Sequence, residues 1–158
     1  MEKTNNRHYK KIWGMVGFIV NLSQMIEYNI ANILAFNEIL SVFDEQDSMY
    51  VVEYNDLLRK TDKWYAELDK KELGKVLGEA KNRLIFTEQF IDMLDKIRSE
   101  RNYYVHTFFK EDLKTKQFQN KPKECIPRLQ ELIGDMHATN EELVKIFQEM
   151  QQEVKMIY

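Results

Sequence analysis

The sequence predicts an all-α fold, a single-domain bundle of four or five helices in which the first and last helices are long. Only five glycines and two prolines occur among 158 residues, which leaves little turn chemistry for a fold of many strands. Apolar residues recur at helical spacing over most of the chain. The hydrophobic share of 44% and the charged share of 31% are ordinary for a globular protein. A chain of this length, residues 1–158, fits one domain with a core of its own.

The first predicted helix covers about residues 9–43, a stretch without proline. Its apolar residues fall on more than one face of the helix: Ile12, Met15, Phe18, Ile19, Leu22, Met25, Ile26, Ile33, Phe36 and Leu40. A helix that is apolar over most of its circumference lies at the centre of a bundle or in an interface between chains. The polar residues 44–48 then predict a loop.

Two further helices are predicted, one at residues 49–68 and one at residues 71–98. Residues 49–68 show a short and irregular pattern, and helix is favoured because a lone strand would have no partner. Residues 71–98 predict a continuous helix in which the following residues alternate in steps of four and three: Leu73, Leu77, Ala80, Leu84, Thr87, Ile91 and Leu94. Arg98 and Arg101 continue this progression, so the apolar stripe becomes basic there.

The last part of the chain predicts a polar connector followed by a long helix. The connector covers about residues 110–123 and is rich in lysine, and Pro127 is expected in the first turn of the helix. The helix has the most regular seam in the chain: Ile126, Leu129, Ile133, Met136, Asn140, Leu143, Phe147, Met150, Val154 and Ile157. Such a seam suits packing within the bundle or against another chain, and Asn140 is expected to fix its register.

The composition argues against several classes of function. A formal net charge of −3 is not that of a general nucleic-acid coat, although a local basic site remains compatible with it. Cys125 is the only cysteine, so one chain forms neither an intramolecular disulfide nor a cysteine-based zinc site. The sequence contains no glycine-rich phosphate loop, nucleophile elbow or His-Glu-x-x-His motif. We therefore expect no metal and no other cofactor.

The location of the protein is expected to be the cytoplasm. Residues 1–11 are polar and charged, unlike the apolar core of a signal peptide. The apolar stretch that begins at Ile12 is interrupted by polar residues before it reaches the roughly 20 apolar residues that span a bilayer. We expect no membrane attachment.

Arg101, Asn102 and His106 form the one local pattern that suggests chemistry. On a regular helix, Arg101 and His106 lie about 140° apart and would meet only where the helix begins, ends or is distorted. Asn102 and His106 are four residues apart and therefore neighbours on one face. Asn102 is accordingly expected to orient the imidazole of His106.

The pattern Arg101-Asn102-x-x-x-His106 resembles the Arg-x4–6-His signature of the HEPN superfamily, whose members are compact helical domains. The resemblance covers about residues 98–109, and the rest of the chain agrees in being helical. It implies a metal-independent endoribonuclease of a toxin or antiphage type, in which two protomers join their motifs at a dimer interface. Some members carry a tyrosine two residues after the histidine that receives a nucleotide, whereas this chain has Phe108. That form of regulation is therefore not expected.

The residue types fit cleavage of single-stranded RNA by a homodimer. A base takes the proton from a 2′-hydroxyl, the oxygen attacks phosphorus, and an acid protonates the leaving oxygen. His106 exchanges protons near neutral pH, and Arg101 presents a charged fork to the phosphorane oxygens. One histidine does not readily supply acid and base together, which agrees with a second copy. A further partner is an antitoxin or another protein.

Neighbouring side chains are candidates for RNA binding. They are Lys110, Lys114 and Lys116 for the phosphate backbone, and Tyr103 and Tyr104 for stacking on unpaired bases. A non-catalytic interpretation also stands: an interaction or dimerisation protein that uses the seam at residues 126–157, with the tyrosines in the core and the lysines solvated. An Arg101 and His106 that share a cleft open to solvent would favour catalysis, and burial of either would disfavour it.

Overall fold

In a computed structural model of the protein, the described residues are 2–45, 73–115 and 122–157, together with 59, 62–63 and 66–67. Within these ranges the chain is almost entirely helical and contains no strand, so the all-α prediction is confirmed. The elements are α1 (Glu2–Glu45), α2 (Leu73–Asn82), α3 (Glu88–Asn102), a π-helical turn (Tyr103–Thr107), α4 (Phe108–Thr115) and α5 (Pro122–Ile157). The helix predicted at residues 49–68 lies mostly outside the described residues. No described helix is both long and apolar enough to cross a bilayer.

The two longest helices, α1 and α5, pack against each other. Asn29 meets Asn140, and Phe36 meets Phe147, so the second contact lies seven residues further along both helices. The helices therefore run parallel. The seam predicted from apolar spacing lies in this contact, where its members Leu129, Met136, Asn140 and Leu143 are buried.

A buried pair of amides fixes the register between α1 and α5. Nδ2 of Asn29 donates to Oδ1 of Asn140 across 2.8 Å, and both residues are almost fully enclosed. A slip of either helix would leave both amides buried without a partner, at a cost of about 1–3 kcal/mol each. The structure thus supports the register role predicted for Asn140.

The continuous helix predicted for residues 71–98 is wrong, because the chain breaks at residues 83–87 into α2 and α3. Leu84 has a left-handed φ of 55° and is 88% exposed, although it continues the apolar stripe. Thr87, also on that stripe, caps α3 by accepting a hydrogen bond from the backbone N–H of Phe90. Apolar spacing alone did not reveal this cap. Gly74 lies beside Arg98, and Lys81 pairs with Asp95, so α2 and α3 are antiparallel.

The core forms around α1, as expected for a helix that is apolar on several faces. Its fully buried residues are Ile12, Ile19, Leu22, Ile26, Ile30, Ile33 and Leu34. They form one cluster with buried residues of the other helices, namely Val76, Leu77, Leu94, Ile97, Leu129, Leu132 and Met136. Each such side chain stabilises the fold by about 1.5–3 kcal/mol relative to exposure.

Both ends of the connector predicted at residues 110–123 are helical, over residues 110–115 and 122–123. The helix continues without a loop through α4 to Thr115, because the lysines and Glu111 of this segment are good helix formers. α5 begins at Pro122, so Pro127 lies inside the helix and not in its first turn. Residues 116–121 fall outside the described part of the chain.

Candidate active site

The site begins where α3 changes into the π-helical turn. The backbone N–H of Phe108 donates to the carbonyl of Tyr103, five residues back instead of the four of an α-helix. Such a turn accommodates an extra residue without ending the helix, and α4 follows directly. Turns of this kind are rare and occur frequently at functional sites. Here the turn follows the point at which the apolar stripe becomes basic.

The π turn brings Arg101 and His106 together. Nη1 of Arg101 lies 3.3 Å from Nε2 of His106, although a regular helix would separate the two side chains by about 140°. A guanidinium offers only donors, so Nε2 must be the acceptor in this contact. An imidazole with its proton on Nδ1 can accept this hydrogen bond.

Asn102 has a different role from the one predicted. Its Oδ1 accepts a hydrogen bond from Nη1 of Arg101 across 2.9 Å, so it orients the guanidinium and not the imidazole. The prediction assumed α-helical geometry, in which residues four apart are neighbours, and the π turn changes that relation. His106 is oriented by Arg101, which is oriented by Asn102.

The pair is open to solvent. His106 and Asn102 are exposed and Arg101 is half-buried, so neither Arg101 nor His106 is sealed in the core. Nε of Arg101 is itself buried and has no hydrogen-bond partner among the described residues. A buried donor without an acceptor costs about 1–3 kcal/mol, which an oxygen of a bound anion would offset.

The two predicted base-stacking tyrosines differ in their positions. Tyr104 is 6% exposed and packs against Phe108, with 5.4 Å between ring centroids, so its ring is not available to a base. The prediction for Tyr104 is therefore wrong, because successive residues of a helix point in different directions. Tyr103 is exposed and donates a hydrogen bond to Glu111 across 3.1 Å. Burial, and then this hydrogen bond, raise the pKa of Tyr103, so its phenol stays protonated at neutral pH.

The predicted lysines are only partly described. Lys110 is exposed at the start of α4, four residues after His106, where its charge is available to a phosphate. Lys114 lies in α4, but the described side chains of this helix end before it. Lys116 falls outside the described residues.

One neighbour of the site was missed by the sequence analysis. The indole of Trp13 on α1 stacks on Phe109, with centroids 4.2 Å apart and an interplanar angle of 10°. Phe109 follows His106 by three residues and lies in α4, directly after the π turn. Trp13 nevertheless remains exposed. The signal in the sequence that could have identified Trp13 is its position outside the buried stripe of α1.

Within the described ranges, no group of three or more His, Cys, Asp or Glu residues is arranged to hold a metal ion. The chain matches no protein-family model, no curated protein and no solved structure. Among the described residues, the contact between Arg101 and His106 is the feature with the clearest chemistry.

Proposed function

We propose that the protein is a metal-independent endoribonuclease of the HEPN type that cleaves single-stranded RNA. The supporting observation is the 3.3 Å contact between Nη1 of Arg101 and Nε2 of His106 at a position open to solvent. A fixed positive fork beside an imidazole is what transesterification at a ribose 2′-hydroxyl requires. The π turn supports this proposal because it brings the two residues into contact.

The proposed reaction begins with phosphate binding to Arg101. The N–H groups of the guanidinium, including the buried Nε–H, turn to the phosphate oxygens, and Nε2 of His106 becomes free to accept a proton. His106 takes the proton of the 2′-hydroxyl, and the oxygen attacks phosphorus. The bond to the 5′ oxygen breaks, and that oxygen takes up a proton. The products are a 2′,3′-cyclic phosphate and a 5′-hydroxyl.

In this proposal Arg101 contributes most to stabilising the transition state, because its positive charge lies where negative charge develops. Two N–H donors of its guanidinium, directed at the phosphorane oxygens, stabilise the transition state more than the starting diester. Asn102 keeps the fork in place through its 2.9 Å hydrogen bond. Tyr103 and Lys110 are exposed near the pair, where they are available to a base and to a phosphate.

A homodimer is part of the proposal because each chain brings one His106 to the reaction. While His106 of one protomer removes the 2′ proton, a second acid must protonate the leaving oxygen. A second copy supplies another imidazole, which in its protonated form gives its proton to the leaving oxygen and ends neutral. The family resemblance adds the expectation that an antitoxin or another protein partner restrains the activity.

The second candidate function, a non-catalytic interaction protein that uses the seam at residues 126–157, is less well supported. The seam faces α1 of the same chain, and its members Leu129, Met136 and Leu143 are buried there. A partner would have to displace α1 or use another surface.

The test is cleavage of a fluorescent single-stranded RNA in the presence of EDTA by the wild type and by His106→Ala. We expect the variant to cleave at least about 100-fold more slowly, since proton transfer contributes about that much, and the wild type to leave 2′,3′-cyclic phosphate ends. His8→Ala removes a histidine from α1, leaves the Arg101–His106 pair intact, and is the matched control. Equal cleavage by the wild type and His106→Ala would remove the proposal.

A further inference from the structure

One face of α1 is exposed although it is apolar. We call it the α1 face and define it by Trp13, Gly14, Gly17, Phe18, Met25 and Tyr28. At about 100° per residue, these positions fall within about 140° of the helix circumference. Its four large side chains are between 42% and 58% exposed. The exposed Asn21 and Gln24 lie within the same arc, so the surface is mainly and not wholly apolar, and exposed apolar surface marks interaction sites.

The α1 face adjoins the candidate active site. Trp13 stacks on Phe109, which lies three residues after His106. Gly14 and Gly17 are within little more than one helical turn of Trp13. Whatever covers the α1 face at Trp13 therefore lies beside the segment that carries His106.

The charge pattern favours a second copy of this chain as the occupant. Residues 12–26 of α1 include no Lys, Arg, Asp or Glu. In a two-fold interface each surface meets itself, so a charged face would set like charges against each other. The α1 face avoids that repulsion over four helical turns.

The exposed large side chains of the α1 face supply part of the area that such an interface takes. Large side chains bury roughly 150–250 Å² each, so the exposed halves of these four supply on the order of 400 Å² per copy. A stable interface takes about 800 Å² per partner. The backbone at Gly14 and Gly17, the exposed Asn21 and Gln24, and the adjoining edge of Phe109 contribute further area.

We propose that the α1 face pairs with the α1 face of a second copy, with the two helices crossing at Gly14 and Gly17. A Cβ added at either glycine would meet nothing within 4 Å, so the space in front of both is open to a partner helix. The crossing brings the Arg101–His106 pairs of both copies to one interface. This inference rests on the proposed function only where the second copy supplies the second histidine.

The test compares Gly17→Glu with Gly134→Glu by light scattering at micromolar concentration. Both glycines are exposed in long helices and have open space around an added Cβ, so neither substitution disturbs the folded monomer. We expect the wild type and Gly134→Glu to be dimers, and the dissociation constant of Gly17→Glu to rise at least about tenfold. Circular dichroism checks the helical content of each variant.

A disulfide test locates the interface. In a Cys125→Ser background, Gly17→Cys should form a symmetric disulfide on oxidation, because the two backbones approach there, whereas Gly134→Cys should not. A monomeric wild type overturns the inference, and so does a Gly17→Glu protein that dimerises like Gly134→Glu. Dimerisation through the α1 face without RNA cleavage retains this inference and removes the proposed function. Cleavage of RNA by a monomeric protein overturns this inference and retains the proposed RNA cleavage.

Discussion

At the residue scale, Arg101 and His106 limit each other's hydrogen bonding. The guanidinium occupies the Nε2 lone pair of His106, and its own Nε–H has no acceptor among the described residues. In the proposed reaction, an incoming phosphate satisfies Nε and frees Nε2 at the same time. The proposed function would then couple RNA binding to activation of the base through one side chain, Arg101.

The phenol of Tyr103 predicts how stability changes at alkaline pH. Burial, followed by the hydrogen bond to Glu111, raises the pKa of Tyr103 above its ordinary 10.0. The folded state therefore holds this proton more tightly than the unfolded chain, and the stabilisation is complete below the ordinary pKa and lost as pH rises through the folded one. We expect Tyr103→Phe to lessen the fall in the free energy of unfolding between about pH 9 and about pH 11, measured with urea.

That fall should be smaller in the variant and not absent, because burial raises the pKa of Tyr104 as well. Equal slopes for the wild type and Tyr103→Phe would show that the phenol of Tyr103 is equally acidic in the folded and unfolded states. Measurements near neutral pH should show no such difference in slope, since both phenols are then protonated in both states.

The sequence identified Arg101 and His106 but not their contact. Residue types and spacing are visible in a sequence, whereas the π turn depends on how α3 and α4 pack on the rest of the core. For the same reason Asn102 was assigned to the wrong partner. Tyr103 and Tyr104 are adjacent in sequence, and only the packed structure shows which of them faces Phe108 and the core.

At the element scale, the π turn can be tested by deleting one residue from it. Removal of Thr107 restores a regular helix with Arg101 and His106 still five residues apart, about 140° around the axis. Removal of Val105 also restores a regular helix, but leaves them four residues apart, about 40° around the axis. We expect the Thr107 deletion to lose cleavage of single-stranded RNA and the Val105 deletion to retain part of it.

The two deletions control for each other, because each shortens the same turn by one residue and leaves α3 and α4 in the same relative orientation. Circular dichroism and thermal unfolding should give similar values for both. If the two variants lose cleavage to the same extent while remaining folded, the contact between Arg101 and His106 does not explain the activity.

The hydrogen bond between Asn29 and Asn140, which fixes the register of α1 and α5, predicts that substitutions of these two residues are strongly coupled in the free energy of unfolding. Asn140→Ala leaves the buried amide of Asn29 without a partner, so we expect a loss of about 1–3 kcal/mol in the free energy of unfolding. The double substitution Asn29→Leu with Asn140→Leu removes both polar groups and should be close to neutral. A double-mutant cycle in urea measures the coupling.

Gln130→Ala, at an exposed position of α5, is the control and should change stability by no more than about 0.5 kcal/mol. Additive effects at Asn29 and Asn140 would mean that the hydrogen bond between them does not stabilise the register.

Elements were predictable to different degrees. The seam of α5 and the central position of α1 were visible because apolar spacing reports directly on burial. The break between α2 and α3 was not, because Leu84 and Thr87 both fit the apolar period. The left-handed φ of Leu84 follows the end of α2, and the hydroxyl of Thr87 caps the start of α3, and neither changes the spacing.

At the scale of the whole molecule, the two sides of α1 have different surroundings. One side of α1 is enclosed by α2, α3 and α5, while the α1 face stays exposed beside the site. The sequence showed that α1 is apolar on several faces, but it did not show which face the chain itself covers. That division follows from the parallel packing of α1 and α5, which residues widely separated in sequence establish.

A mixing experiment tests whether two copies act together. Inert His106→Ala protein is added to a fixed amount of wild type and left to exchange subunits. If each active site needs two histidines, a mixed dimer is inactive, and random pairing at equal amounts leaves about half of the wild-type chains in productive dimers. RNA cleavage should therefore fall by about half at equal amounts and further with an excess of the variant.

The control for this experiment is the double variant Gly17→Glu with His106→Ala, which lacks the same histidine but carries a charge on the α1 face. It should pair more weakly with the wild type, so cleavage should fall less at every ratio than with His106→Ala. If His106→Ala also leaves cleavage unchanged after exchange, each protomer cleaves RNA with its own Arg101 and His106, and the leaving oxygen takes its proton from water. If His106→Ala and the double variant inhibit cleavage equally, the mixed dimer with the wild type does not form through the α1 face.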